Sequence, residues 1–377
     1  MNKKLSTVGI AVVMIAPLMA QAGVEVYGDV RVSVDYASNH DNGTGTGSCN
    51  YDAATQTNDP AVSCQKDKMG VSSNASYIGF KGDEDLGDGM SALWQFEQGV
   101  DFDTGNWVGD RRPTFVGLGG GFGTLMAGRF DTPYMHATDK YDIFMDTKAD
   151  YNAIMGATVV SAPDGGAFFD QRVSNTLVYA TPDLGGLTAQ LAWVVADAVS
   201  GNDSLPLAKS AADQAAFSFG SNYDNGPVSL AAAYQLDQKA GSAGDDATAW
   251  KVGGSYTIKD ATTLALIYES IDLGGTVKGR NAFYISAAHR MGNTTLKLAY
   301  AAADKCGGTS CANTGAQQAS VGVTQSLSKY TEIYALYTQV NNDNAASYDL
   351  VYGPPNAVVG KGESSLSFGI NHKFSSK

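Results

Sequence analysis

The sequence predicts an all-β protein, a transmembrane antiparallel β-barrel of 16 strands. Three observations support this fold class. The chain begins with an export signal, its first and last mature segments alternate strictly between apolar and polar residues, and its connections are short and long in turn. Strands that alternate in this way can cross a membrane with an apolar outer face and a polar lumen.

The first 22 residues have the organisation of a secretory signal peptide. Lys3 and Lys4 give a basic start, residues 8–19 form an apolar stretch, and residues 20–22 supply the small side chains of a cleavage site. The apolar stretch is shorter than the roughly 20 residues that an uncleaved membrane anchor needs. We therefore expect cleavage after Ala22 and a mature protein made of one domain, residues 23–377.

The first mature segment, residues 24–36, predicts a strand with one apolar and one polar face. Side chains on a strand point to alternate sides, so the valines share one face, while Asp29 and Arg31 share the other with further polar residues. Charged side chains in such a row are expected in the lumen of a membrane barrel. The last segment, 364–374, repeats the pattern, and the two ends of the chain are expected to pair and close the cylinder.

Alternating segments recur between these two ends and give the strand count. The predicted strands are 24–37, 72–83, 89–102, 111–118, 123–131, 172–181, 187–197, 214–224, 227–237, 248–258, 262–273, 280–291, 294–304, 317–328, 331–341 and 364–374. Seven short connections rich in Gly, Asn, Asp or Pro are predicted to be periplasmic turns. The eight alternate connections, near 38–71, 103–110, 132–171, 198–213, 238–247, 274–279, 305–316 and 342–363, are predicted to be extracellular loops. This arrangement is typical of bacterial outer-membrane barrels, which contact outer-membrane lipids and lipopolysaccharide.

Composition and charge argue against several function classes. The chain has 25 Lys and Arg against 38 Asp and Glu, a net charge of −13, and an acidic protein is not expected to bind nucleic acid. No G-x-S-x-G nucleophile motif occurs, and the glycine run 117–123 lacks the helix and Gly-Lys-Ser/Thr ending of a phosphate loop. The acidic turn at 83–88 does not have the spacing of a standard calcium loop. We expect neither enzymatic activity nor a cofactor.

The four cysteines form two local pairs in loop-like stretches, Cys49 with Cys64 and Cys306 with Cys311. In an exported chain this pattern predicts two loop disulfides. A four-cysteine metal site is the alternative, but no C-x-x-C spacing and no neighbouring histidine support it. No metal site is predicted.

Several short stretches of the sequence resemble those of the Gram-negative general diffusion porins. They are Tyr77-Ile78-Gly79-Phe80-Lys81-Gly82 followed by Glu84-Asp85-Leu86-Gly87, then Phe115-Val116-Gly117-Leu118, Phe122-Gly123-Thr124, Gly128-Arg129 and Asn175-Thr176-Leu177-Val178-Tyr179. Their order and spacing carry the likeness, chiefly in the first third of the mature chain. The resemblance implies an outer-membrane homotrimer of water-filled barrels, in which the third loop folds into each lumen to form a constriction.

The resemblance also implies which residues form that constriction. The family places an acidic stretch of the third loop opposite basic residues on the barrel wall. In this chain the third loop is 132–171, and its acidic residues are Asp139, Asp142, Asp146 and Asp150. The matching wall residues are Lys81, Arg112, Arg129 and Arg172, with Arg31 nearby on the first strand. Opposed charges across a narrow pore orient dipolar solutes and bias which ions pass.

Two departures from the family pattern weaken the positive wall. Tyr77 stands where the family often has Arg, and Asp29 occupies an inward position where some members carry a base. Together with the acidic balance of the chain, they favour the hypothesis of a weakly cation-preferring pore.

The predicted function is therefore the passive diffusion of ions and small hydrophilic solutes. A surface receptor or adhesin that acts through its long loops is one alternative. A substrate-specific channel is another, since aromatic residues occur in or near the constriction loops: Trp107, Tyr134, Tyr141, Tyr151, Phe168 and Phe169. The sequence leaves both alternatives open.

Overall fold

The computed structural model is a closed antiparallel barrel of 16 strands. It describes residues 23–39, 51–52, 57–58, 67–156, 169–195, 215–238, 245–274, 279–307, 311–352 and 359–377. The barrel strands are β1 (Glu25–Asn39), β2 (Asp67–Ser73 and Tyr77–Gly87), β3 (Met90–Asp101), β4 (Asn106–Gly120), β5 (Gly123–Asp131), β6 (Arg172–Ala180), β7 (Leu187–Val194), β8 (Ala216–Asn225), β9 (Val228–Asp237), β10 (Ala247–Ile258), β11 (Thr262–Asp272), β12 (Asn281–Met291), β13 (Thr294–Ala303), β14 (Ala316–Ser326), β15 (Thr331–Asn342) and β16 (Glu363–Ser375). Each strand pairs with its sequence neighbours.

The first and last strands close the barrel, as the alternation at the two ends of the chain predicted. β1 pairs antiparallel with β16 in a register that sets Val32 opposite Ile370. On its other side β1 pairs with both parts of β2. Closure leaves no free sheet edge, which is the condition for a sheet to cross a bilayer, because every backbone group must be satisfied there.

Two strands begin earlier than the sequence predicted. β4 starts at Asn106 rather than near 111, because Val100 and Asp101 of β3 continue to pair with Trp107 and Asn106. The predicted second long loop, 103–110, is therefore only a turn at 102–105. β2 reaches back to Asp67 and is interrupted at 74–76, where Ala75 has a φ of 54°. In the first loop Tyr51–Asp52 pairs with Thr57–Asn58.

The distribution of polar and apolar side chains is that of a membrane barrel. On β1, Asp29 is 1% exposed and points inward, whereas Val34 is 46% exposed and points outward. The outward apolar residues on the other strands, such as Trp94, Leu266 and Phe368, are also exposed. No helix in the described part of the chain is long and apolar enough to cross a membrane.

The buried core lies between a loop and the inner wall. The third extracellular loop, residues 132–171, is called L3 below. Its described residues, 132–156 and 169–171, lie in the lumen and contain a short helix α1 (Pro133–His136) and two 3₁₀ turns, Asp139–Tyr141 and Tyr151–Ala153. Its aromatic and aliphatic side chains form one cluster with inward residues of the later strands, such as Ile267 and Tyr284. The inward charges on these strands are therefore buried under L3 rather than exposed to water.

One of the two predicted disulfides is confirmed. Cys306 and Cys311 are bonded in the loop that follows β13. Cys49 and Cys64 lie outside the described residues, so their pairing stays a prediction.

Gly28 tests the closure of the barrel. A Cβ at this position would lie 2.5 Å from Cζ of Phe374 and 2.6 Å from the backbone oxygen of Tyr77, so Gly28→Ala crowds β1 against both of its neighbours. We expect a loss of roughly 1–3 kcal/mol of unfolding free energy, the usual effect of overpacking, measured by thermal unfolding followed by circular dichroism. Gly70→Ala is the control, because its Cβ would meet no atom within 4 Å. Equal stability of the two variants would contradict the close approach.

Candidate pore constriction

L3 follows β5, and its first turn lies against the inner wall at β8. The side chain of Thr132 caps α1 by accepting a hydrogen bond from the Met135 amide, and Pro at the first helical position favours this start. The Tyr134 amide donates to Oγ of Ser218 at 2.9 Å. Gly220 leaves room for the loop, because a Cβ there would lie 2.3 Å from the Pro133 oxygen. A small residue on β8 thus allows the first turn of L3 to lie against the wall.

The middle of L3 continues along the wall past β9, β10 and β12. The Tyr141 hydroxyl lies 3.1 Å from Oγ of Ser229, and its ring covers Gly253. The Tyr284 hydroxyl donates to Oδ1 of Asp142 at 3.2 Å. Phe144 then packs against Gly322 of β14 and Leu336 of β15. The loop therefore covers the inner face of half the barrel.

The returning arm of L3 is held by charges that are fully buried. Nζ of Lys251 lies 2.6 Å from Oδ1 of Asp170, and neither side chain is exposed. Glu269 accepts hydrogen bonds from the Gly156 amide at 2.9 and 3.0 Å and from the Tyr134 hydroxyl at 3.0 Å. Arg280 lies 3.4 Å from Glu269 and donates to the Ile154 carbonyl oxygen. Buried ions persist only when they are paired and hydrogen-bonded, and this network meets both conditions.

The tip of L3 reaches β1. Oδ2 of Asp146 lies 2.5 Å from Nη1 of Arg31, and Oδ1 of Asp146 accepts a hydrogen bond of 2.9 Å from the Tyr352 hydroxyl. Tyr352 belongs to the last loop, residues 343–362, called L8 below. Burial and the charge of Asp146 raise the pKa of Tyr352, which keeps its hydroxyl protonated as a donor. L8 therefore packs on L3 inside the barrel.

The four aspartates of L3 fall into two groups. Asp139 and Asp146 line the open lumen. Asp142 and Asp150 are buried within the loop and accept backbone hydrogen bonds, Asp142 from Phe144 and Tyr151 and Asp150 from Asp146 and Asn152. The structure thus places these two in the frame of the loop rather than on its pore side, because short carboxylates readily cap neighbouring amides in tight turns.

Burial affects the charges of these aspartates. It raises the pKa of Asp142 to about 7, and burial with the charges of Asp142 and Asp146 raises the pKa of Asp150. Burial also raises the pKa of Asp139, although His136 lies 2.9 Å away and opposes the rise. Burial disfavours a charged His136, but its hydrogen bond to Asp139 and nearby carboxylates raise the pKa of the imidazole. L3 therefore carries less negative charge at neutral pH than four fully ionised aspartates would give it.

The predicted wall residues lie on the opposite side, each beside a polar partner. Arg112 pairs with Glu97 at 3.1 Å and lies over the Tyr77 ring at 4.2 Å. Arg172 pairs with Asp131 at 2.6 Å, and Arg129 donates to Ser174 at 2.8 Å.

The remaining predicted wall residues are on the first two strands. Lys81 lies 3.5 Å from Glu25 and 4.6 Å from the centre of the Tyr27 ring. Arg31 contacts Asp29 at 2.6 Å. Lys81 is 34% exposed on the same strand face as Tyr77 and Asp83, whereas Asp29 is buried behind Arg31.

The open lumen is a crescent between L3 and one half of the wall. A cavity of 1460 Å³ is lined by β1 to β8 on one side and by L3 and two L8 residues on the other. It brings together six of the predicted residues with Tyr77: Arg31, Arg112, Arg129, Arg172, Asp139 and Asp146. Within the described residues, no group of three or more His, Cys, Asp or Glu side chains is placed to hold a metal ion.

The sequence did not point to the residues that hold L3 in place. Lys251 is charged and occupies an inward position between the outward apolar residues Trp250 and Val252, and Glu269 follows the outward Tyr268, which is a readable signal. Their partners Asp170 and Gly156 are far away in the sequence, so the pairing was not readable. Nothing in the sequence around Tyr352 indicated that this residue contacts L3.

A closed barrel with a loop folded into a charged lumen is the architecture of a channel, and comparison with known proteins decides its family. A family model described as Gram-negative porin matches residues 8–345. The chain belongs to the Gram-negative porin family. This porin is an outer-membrane protein that forms a water-filled diffusion channel and is not an enzyme.

Proteins similar to this porin match nearly its whole length, both among its relatives and among solved structures. Outer membrane porin protein 32 of Delftia acidovorans is 27% identical over 368 residues, which are 94% of this chain and 95% of the relative. The anion-selective porin from Comamonas acidovorans has a TM-score of 0.70 at 22% identity and covers 94% of this chain and 100% of its own. The trimer form of OmpT from Vibrio cholerae has a TM-score of 0.61 at 15% identity, with coverages of 94% and 100%.

Substitution of Lys251 tests the buried network that holds L3. Lys251→Met leaves Asp170 buried without its cation, and we expect a loss of roughly 3–5 kcal/mol of unfolding free energy. Denaturant unfolding measures this loss, and limited proteolysis measures the release of L3. The double variant with Asp170→Asn is the control, because it removes both charges and should recover much of the stability. An equal loss in the single and double variants would contradict the pairing.

Proposed function

We propose that this porin conducts ions and small hydrophilic solutes with a weak preference for cations. The proposal rests on the charges that the lumen presents. Described basic residues of the lining are Arg31, Arg112, Arg129, Lys140 and Arg172, whereas the described acidic residues are Asp83, Asp85, Asp88, Asp101, Asp131, Asp139, Asp146, Asp183 and Asp224. Asp170 is left out of this comparison because it is buried against Lys251. Nine carboxylates against five basic groups favour a negative lumen.

Ion pairing removes most of the basic groups from this balance, each together with a carboxylate. Arg31, Arg112 and Arg172 each lie within 3.1 Å of a carboxylate, so their positive fields are largely compensated. Lys140 pairs with Asp224 at 2.9 Å. By contrast, Asp83, Asp85 and Asp88 are exposed in the first periplasmic turn. Fixed charges at a pore mouth raise the local concentration of the opposite ion.

The constriction is proposed to lie between the L3 edge and the arginines of β4 to β6. Asp139 and Asp146 supply the acidic side, and Arg112, Arg129 and Arg172 supply the basic side. Such a transverse field orients dipolar solutes as they pass. Asp29 is buried and would act on the pore only through Arg31, whereas Lys81 is partly exposed on the inward face of β2 and would add one positive charge to the lumen.

The proposed working form is a homotrimer in the outer membrane. The trimer form of OmpT, which shares this fold, supports this proposal. Exposed apolar residues on the outer face would contact either a neighbouring subunit or outer-membrane lipids and lipopolysaccharide. We propose Gly23 as the first residue of the mature subunit.

The ion preference of this porin depends on the charges of its own lumen. The Comamonas neighbour is described as anion-selective, but at 22% identity it supports the fold alone. Opposite preferences on one barrel are expected when a few lumen charges differ, because selectivity depends on the groups that line the pore.

Planar-bilayer recording tests the proposal. We expect stepwise insertions that close in three near-equal steps, and a reversal potential under a KCl gradient with the sign that marks K⁺ as the more permeant ion. Asp83→Asn with Asp85→Asn and Asp88→Asn should shift the reversal potential toward that of an unselective pore. Asp260→Asn is the control, since Asp260, like Asp88, is a turn aspartate with positive φ but is not among the residues that line the cavity.

Two results would count against it. A reversal potential that favours Cl⁻ would overturn the cation preference. Well-folded protein without conductance would overturn the diffusion role and favour a receptor or adhesin.

A further inference from the structure

Arg31 does not have the surroundings of a conducting wall charge. Its side chain is 10% exposed, and its guanidinium lies 2.6 Å from Asp29 and 2.5 Å from Asp146. Its centre also lies 6.0 Å from the centre of the Tyr77 ring. Two carboxylates around one guanidinium leave no net positive charge for a passing anion.

Asp146 is likewise fully engaged although it lines the lumen. One carboxylate oxygen contacts Arg31, and the other accepts from the Tyr352 hydroxyl. Its amide donates to Oδ2 of Asp150 at 2.8 Å, and its φ is 57°, in the left-handed region that costs energy for a residue other than glycine. A residue held in this conformation needs its surroundings to fix it.

The contact between Arg31 and Asp146 lies where it can affect the width of the pore. The other described residues of L3 pack against β8 to β15, whereas the Arg31 contact holds its tip at β1, where the open lumen begins. Met145 and Asp146 line the cavity together with Tyr352. If the tip moved, the width of the crescent between L3 and the arginine side of the wall would change.

We propose that Arg31, Asp146 and Tyr352 form a clasp that fixes the tip of L3 and thereby sets the cross-section of the pore. Arg31 is a positioning residue in this arrangement rather than one of the charges that select ions. The proposal rests on the diffusion function proposed above and adds which contacts define its width.

Tyr352→Phe separates a positioning role from an electrostatic one. It removes one hydrogen bond to a charged group and changes no charge. Such a bond corresponds to about a tenfold change in an equilibrium, so we expect the tip to leave its position about ten times more often. Single-channel recordings should show more frequent transitions between conductance levels, with unchanged reversal potential. Asp146→Asn should show the same transitions, together with a shift of the reversal potential toward anions.

Hydrogen exchange provides a readout that does not depend on conductance. In folded, detergent-purified protein, the amides of residues 144–150 should exchange about tenfold faster in Tyr352→Phe and Asp146→Asn than in the wild type. Tyr234→Phe is the matched control, because this tyrosine is on the outer face at 45% exposure. Arg31→Lys should partly retain the clasp, since an ammonium can pair with one carboxylate but cannot engage two in fork geometry.

The outcomes distinguish the two proposals. Unchanged exchange and unchanged current transitions in both variants would overturn the clasp while leaving the diffusion function in place. Faster exchange at the tip in both variants, combined with a wild-type protein that does not conduct, would support the clasp and overturn the diffusion function. A shift of reversal potential in Asp146→Asn without faster exchange would assign Asp146 to ion selection and overturn the clasp.

Discussion

The structure depends on buried charges of the inner wall that bind L3. Lys251 pairs with Asp170 of L3, and Glu269 and Arg280 of the wall pair with each other while they bond to the backbone of Gly156 and Ile154 in L3. These groups lie where water is excluded, and each carboxylate also accepts further hydrogen bonds. A mispaired charge at this depth would cost several kcal/mol, so the network permits one position of the loop. The open lumen is what remains once L3 occupies that position.

A membrane barrel makes such a network possible. Its apolar side chains face outward, so the interior is built from polar residues and from what the loops bring in. In this porin the loop brings mainly aromatic side chains, and Tyr134, Tyr141 and Tyr151 cover the wall while their hydroxyls bond to it or to the loop. Small residues on the wall, Gly220, Gly253 and Gly322, provide the space that these groups occupy. Packing and pairing thus seal one half of the barrel and leave the other half as a channel.

The sequence predicted the barrel far better than the constriction. Strict alternation is a local signal, so the strand count and the closure by β1 and β16 could be read directly, whereas the loop that enters the lumen was implied by the family resemblance. The extension of β4 to Asn106 could not, because it depends on pairing with β3 rather than on polarity. Among the acidic residues of L3, nothing local distinguishes Asp146 at the pore from Asp142 inside the loop. That difference comes from contacts with Arg31 and Tyr284, residues more than 100 positions away.

Thiol accessibility tests most directly whether the channel runs on one side of L3 only. Thr188 lines the cavity, whereas Thr338 is fully buried beneath L3 and bonds to Ser320 at 2.8 Å. In folded protein, a charged, membrane-impermeant thiol reagent should modify Thr188→Cys and lower the conductance. It should leave Thr338→Cys unreacted until the protein is unfolded, and wild-type protein controls for the native cysteines. Equal reaction rates at the two positions would contradict the sealed half of the barrel.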